Sequence, residues 1–155
     1  MLSPHRRAFV AAIAFLTRIP KGKLGSHDLA DLSRAAPYFP IVGLIVGGVG
    51  ALVLYAGSII WPVTLAVLIS MGATVLLTGA FHEDALADAF DGFGGGWSTE
   101  QVLAIMKDSR VGSYALVGVA LVLGAKAAAL VAIAQGAGAL DAGRAIVAGH
   151  VLGRW

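Results

Sequence analysis

Six of the nine acidic residues in this 155-residue chain fall between His82 and Arg110. Asp84, Asp88 and Asp91 recur at i, i+4 and i+7, a spacing that places three carboxylates on one stripe of an α-helix. Ala85, Leu86, Ala87, Ala89 and Phe90 fill the other faces. Like charges at that spacing repel, and beside a membrane they are costly, so a cation should offset them. Carboxylate oxygens are hard donors and suit Mg²⁺, Mn²⁺ or Ca²⁺. Weighed against a merely solvated acidic face, the stripe reads as a metal site. Glu83, off the stripe, is a secondary ligand or an exposed acid, and Asp108 either joins the metal or pairs with Arg110. His82 and Asp91 compete for the role of general base.

Phosphate is the anion that such a site would serve. Lys107 and Arg110 flank Asp108 and Ser109, and both cations can neutralise phosphate oxygens, Arg in a bidentate manner. A juxtamembrane anchor for lipid headgroups is the competing explanation for this pair. Gly94, Gly95 and Gly96 end the acidic helix and form a flexible loop. Ser98 followed by Gln101 reads as an N-cap with a capping box, which gives Glu100 a structural place.

The elements that position these residues are membrane helices. The chain is 58% hydrophobic and 13% charged, far from the quarter or so charged in soluble domains. With no Cys, thiolate metal sites and disulfides are excluded. A net charge of +2 gives no reason to expect nucleic acid. Between Ala35 and Phe81 there is no charged residue or His, so the run holds two spans of about 20 residues. They are placed at Pro40–Ile60 and Pro62–Phe81, as a hairpin turning at Trp61-Pro62. Residues 113–135, with Lys126 alone as a charge, form a third span, and residues 142–155 begin a fourth helix after Gly136–Gly138. Ala8–Ile19 is too short to span, and Lys21–Leu32 is a polar connector. Pro20, Lys21 and Lys23 stand where a cleavage site would need small residues, so no signal peptide is expected. Arg6, Arg7, Arg18, Lys21, Lys23 and Arg34 precede the first span, and Lys107 and Arg110 follow the second. The positive-inside rule therefore places the N-terminus and residues 82–112 on the cytoplasmic side. The expected fold is all-α, a polytopic integral membrane helix bundle forming one domain.

Two motifs carry a resemblance over most of the chain. Gly79-Ala-Phe-His82-Glu83-Asp84-Ala-Leu-Ala-Asp88-Ala-Phe-Asp91-Gly92 and Ile105-Met-Lys107-Asp108-Ser109-Arg110-Val-Gly-Ser-Tyr114 resemble the cobalamin synthase family, the adenosylcobinamide-GDP ribazoletransferases or cobalamin 5′-phosphate synthases. Phe15-Leu-Thr-Arg18-Ile-Pro20 and Tyr38-Phe-Pro40-Ile-Val-Gly43 are similar to it as well. This chain departs from the family in having Ala85 where Gly is usual and Glu83 as an additional acid.

The resemblance implies that adenosylcobinamide-GDP reacts with α-ribazole, or its 5′-phosphate, and releases GMP in a late step of vitamin B12 assembly. It also implies Mg²⁺ on Asp84, Asp88 and Asp91, and Lys107, Ser109 and Arg110 toward substrate. The setting would be the inner membrane of the cell. This chain would be the N-terminal part of a longer protein, and a homo-oligomer is left open. More distantly the acids are similar to those of CDP-alcohol phosphotransferases, although Asp91-Gly92 lacks the Ala-Arg continuation of that family. A divalent-cation transporter is the reading from another class. It would place its acids nearer the bilayer midplane.

Overall fold

The computed structural model describes residues 3–19 and 29–155. Pro20, Lys21 and Lys23, used above for a motif and for the charge asymmetry, lie outside them, as does most of the polar connector. Among the described residues the chain forms α1 (Pro4–Leu16), α2 (Leu29–Ser33), a 3-10 turn (Ala36–Tyr38), α3 (Phe39–Ile60), α4 (Val63–Thr78), α5 (Phe81–Gly95), α6 (Thr99–Ile105), α7 (Ser113–Gly136) and α8 (Ala139–Leu152). Contacts gather into two compact units, Met1–Gly79 with Leu130–Trp155, and Ala80–Ala129.

In the first unit, Ser3 caps α1 by accepting from the Arg6 N–H, and Pro4 opens the first turn where a missing N–H costs nothing. α1 buries Ala8, Ala12 and Leu16. The last two pack with Val42 and Val46 of α3 and with Ala35. Rings flank this seam: Phe15 stacks on Phe39, and Phe9 meets Tyr38 edge-on. Pro40 helps start α3, and Pro62, which has no N–H to donate, separates it from α4. The two helices pack as the expected hairpin.

α3 and α8 approach closely because the seam is made of small residues. A Cβ on Gly43 would strike the His150 carbonyl, and one on Gly47 would lie 2.8 Å from the Val147 Cα. Small residues let helix backbones touch, the contact that replaces hydrophobic burial in lipid. On α4 the buried face carries Ser70, Thr74 and Thr78, one turn apart. Their hydroxyls donate to carbonyls: Ser70 to Gly50 of α3 at 2.7 Å, Thr74 to Met71 at 2.8 Å and Thr78 to Thr74 at 3.1 Å. Leu65, Leu68 and Leu76 point outward.

Ala36–Ile60 and α7 are long and apolar enough to cross a bilayer, with mean hydropathies of 2.2 and 2.4. The chain is a membrane protein. The second expected span is shorter than the sequence suggests. α4 has 16 residues, about 24 Å against a hydrocarbon core of about 30 Å. It stops at Thr78 because Gly79 and Ala80 both take left-handed backbone angles, φ 70° and 61°. α4 and α5 together make a third candidate span, broken at those residues. α7 covers the residues expected for the third span, and α8 begins at Ala139, ahead of the expected start at Ala142, and ends at Leu152.

The close seam yields a prediction. Gly43→Ala and Gly47→Ala should each destabilise the protein by about 1–3 kcal/mol through overpacking. Gly48→Ala, with nothing within 4 Å of its Cβ, should be neutral or slightly stabilising. Thermal melts of the three variants in one detergent check this.

Candidate active site

The acidic helix starts at a double break. The Gly79 N–H bonds to the Leu76 carbonyl at 3.3 Å, closing α4 with a left-handed glycine. Arg18 lies across this glycine: its backbone N–H donates to the Leu77 carbonyl at 2.8 Å, and a Cβ at position 79 would collide with its Nε. Ala80 then takes φ 61° without being glycine, a conformation that costs roughly 1–2 kcal/mol. Its carbonyl receives the Asp84 N–H at 2.8 Å, and α5 begins.

α5 carries the whole stripe on a continuous helix. Glu83 and Asp84 occupy its first turn, where the helix dipole favours negative charge. Asp84 is exposed, while Asp88 and Asp91 are half-buried. One Glu83 oxygen is buried without a hydrogen bond. His82 is half-buried with its ring edge-on to Phe81, centroids 5.4 Å apart. Gly95 ends the helix, as the glycine run predicts.

The second motif folds back on α5 within the same unit. Ser98 caps α6 by accepting from the Gln101 N–H, and the Gln101 side chain accepts from Trp97 at 2.9 Å, one residue before the cap. Glu100, in that first turn, is held below the usual carboxylate range, chiefly by a backbone N–H and then by Ser98. Gly92 lies beneath Met106, leaving 2.7 Å between an added Cβ and Cγ. Lys107, Ser109 and Arg110 follow, all exposed. Asp108 grips Arg110 with both oxygens: Nε donates to each at 3.0 Å and Nη2 donates to Oδ2 at 2.5 Å. The Arg110 hydrogen bonds hold the Asp108 carboxyl down at about 2, and Asp108 in turn raises the guanidinium.

Asp91 faces the start of α7. Its Oδ2 accepts from the Gly112 N–H at 2.6 Å and its Oδ1 from the Ala115 N–H at 2.8 Å. Phe90 packs on Gly118, and Tyr114 packs on Gly94.

Among the described residues, no three His, Asp or Glu side chains converge as metal ligands. The expected set of five acids therefore separates. Asp84 and Asp88 stand one turn apart, Asp91 bonds to α7, Asp108 bonds to Arg110, and Glu83 keeps one buried oxygen unbonded. Asp84 and Asp88 are the two carboxylates that α5 sets one turn apart without a backbone or Arg110 bond of the kind that engages Asp91 and Asp108, and Mg²⁺ usually takes one or two carboxylates together with waters and substrate phosphates.

Comparison with known proteins decides the family. The family model described as cobalamin-5-phosphate synthase matches residues 8–155. The chain belongs to the cobalamin-5-phosphate synthase family. Curated relatives named adenosylcobinamide-GDP ribazoletransferase include one from Shewanella frigidimarina, 48% identical over 94% of this chain and 56% of its own length. Another, from Leptothrix cholodnii, is 50% identical over 80% of this chain and 47% of its own length. The chain thus spans about half the length of the curated relatives it matches. No solved structure matches.

Two features of this family member have little or no signal in residue type alone. Arg18 counted only as a basic residue in a short motif, yet it sits on Gly79, the first residue of the acidic motif. Its one sequence signal is that motif membership. The bond of Asp91 to Gly112 has no local signal, because its partners are 21 residues apart.

Because Asp108 titrates at about 2, below its ordinary 3.8 or so, the pair with Arg110 should persist through neutral and mildly acid pH. Its contribution is fully present above the ordinary value and fades as pH falls through about 2. NMR titration of the Asp108 carboxyl carbon checks this, and Arg110→Ala should return the midpoint to the ordinary carboxylate range.

Proposed function

We propose that this chain carries the metal- and phosphate-binding part of a membrane transferase. The enzyme joins adenosylcobinamide-GDP to α-ribazole or its 5′-phosphate, releasing GMP and forming adenosylcobalamin or its 5′-phosphate. One observation carries the reading. In a chain of this family, Asp84 and Asp88 stand one turn apart on α5, in the same compact unit as the exposed Lys107 and Arg110. The name of the relatives, adenosylcobinamide-GDP ribazoletransferase, supplies the substrate class.

Asp84 and Asp88 would hold Mg²⁺. When bound, the ion supplies positive charge to the diphosphate and to the GMP that leaves. The remaining work falls to side chains, since phosphoryl transfer needs mainly positioning and charge stabilisation. Lys107 brings a compact ammonium to the phosphate oxygens. Arg110 offers a planar fork that Asp108 already orients. The Ser109 hydroxyl donates to a further oxygen. A ribose hydroxyl of the ribazole, one other than the 5′ position that the 5′-phosphate form blocks, attacks the phosphorus attached to cobinamide, the bond from that phosphorus to GMP breaks, and the hydroxyl proton passes to His82. His82 takes this role because both Asp91 oxygens already accept backbone N–H groups. The basic residues around the N-terminal segment and the second motif support placing this unit on the cytoplasmic face of the inner membrane.

The test is GMP release by the full-length protein in liposomes, given adenosylcobinamide-GDP, α-ribazole and Mg²⁺. Asp88→Asn should lower the rate at least about a hundredfold, the scale of losing a main electrostatic group. Divalent-cation flux without GMP release would show a transporter instead.

A further inference from the structure

Two neighbouring residues of α5 hold the two ends of the basic loop. Gly92 receives Met106 at the near end, and Asp91 binds Gly112 at the far end. Lys107, Ser109 and Arg110 lie between these anchors. Gly112 stands at the N-cap of α7, since its carbonyl accepts the Leu116 N–H at 3.1 Å, but it has no side chain with which to cap. Asp91 supplies the cap from another helix. Its Oδ1 takes the Ala115 N–H, the bond that an N-cap side chain would make. Its Oδ2 takes the Gly112 N–H, the bond that a capping-box Glu would return. The fit requires glycine, because a Cβ on residue 112 would stand 2.6 Å from Oδ1 and 2.9 Å from the Asp91 Cγ.

We infer that Asp91 is a positioning residue and neither a metal ligand nor the proton acceptor. It fixes the register of the basic loop on α5, so that Lys107 and Arg110 meet a diphosphate held at Asp84 and Asp88. This rests on the function proposed above. A carboxylate is suited to the task because each of its oxygens is an acceptor, whereas an amide would turn a donor toward one of the N–H groups.

The test uses the chain purified in detergent, titrated first with Mn²⁺ alone and then with GDP at saturating Mn²⁺. Asp91→Asn should bind Mn²⁺ within about twofold of the parent but GDP about tenfold more weakly, a loss near 1.4 kcal/mol. Trypsin should cut it several times faster after Lys107 and Arg110, as the released loop opens more often. The double variant Asp91→Ala/Gly112→Asp separates positioning from capping, because it restores a cap within α7 without the link to α5. It should regain thermal stability and keep the weak GDP binding, and it carries the test should Asp91→Asn not fold.

Full recovery of GDP binding in the double variant would reduce Asp91 to a cap and overturn the inference. Loss of Mn²⁺ binding in Asp91→Asn as large as that in Asp88→Asn would make Asp91 a ligand and overturn it equally. Undiminished Mn²⁺ binding by Asp84→Asn and Asp88→Asn would sink the metal reading itself. The trypsin pattern keeps that failure separate, since unchanged cleavage of Asp91→Asn would remove the link alone.

Discussion

A backbone in hydrocarbon has no water to bond, so every N–H and C=O within the spans must find a partner in the chain. The described residues answer this with helices alone. The demand then moves to the helix ends, where the first N–H groups and the last carbonyls lack intrahelical partners. The candidate chemistry collects at such ends. Gly79 and Ala80 close one helix and open the acidic one. Gly92 and Gly96 let α6 fold back on α5. A carboxylate from α5 completes the start of α7. The family motifs are therefore as much about terminating and joining helices as about presenting charge.

This explains why glycines accompany the acids in the second unit. Gly94 and Gly118 give up side chains so that Tyr114 and Phe90 can lie flat on them, and these contacts bring α5 and α7 together. Their approach places Asp91 within reach of two backbone donors. Acids one turn apart then differ in surroundings: Asp84 is exposed and Asp88 half-buried, and Asp91 is bound to the backbone. One sequence pattern thus yields carboxylates in different surroundings.

Much of the architecture was legible in the residues. The uncharged run gave α3, and Trp61-Pro62 gave the turn after it. The single charge between Val111 and Leu140 marked α7. Ser98 announced its own helix start, and the i, i+4, i+7 acids lie on one helix. These signals are local, fixed by composition or by spacing within a few turns. What stayed hidden was either non-local or conformational. Nothing about Ala80 as a residue type announces a left-handed backbone, so the second span was read through the break. Gln101 reaches Trp97 instead of the cap residue, a choice set by the geometry of the turn. The partners of Asp91 and Arg18 depend on which helices meet, and periodicity does not encode that.

The hydroxyl-lined face of α4 has a consequence for the whole chain. Ser70, Thr74 and Thr78 face inward and satisfy themselves on carbonyls, while leucines face out. The helix is inside-out by the standards of an aqueous protein. Lipid stabilises its outer leucines, and no layer of polar side chains shields them from water. Stripped of detergent, α4 would gain by rolling its oily side inward, which would break the Ser70–Gly50 bond and loosen the hairpin. The solvent around this protein is therefore part of its fold, and the rotational setting of α4 should be lost before its helicity.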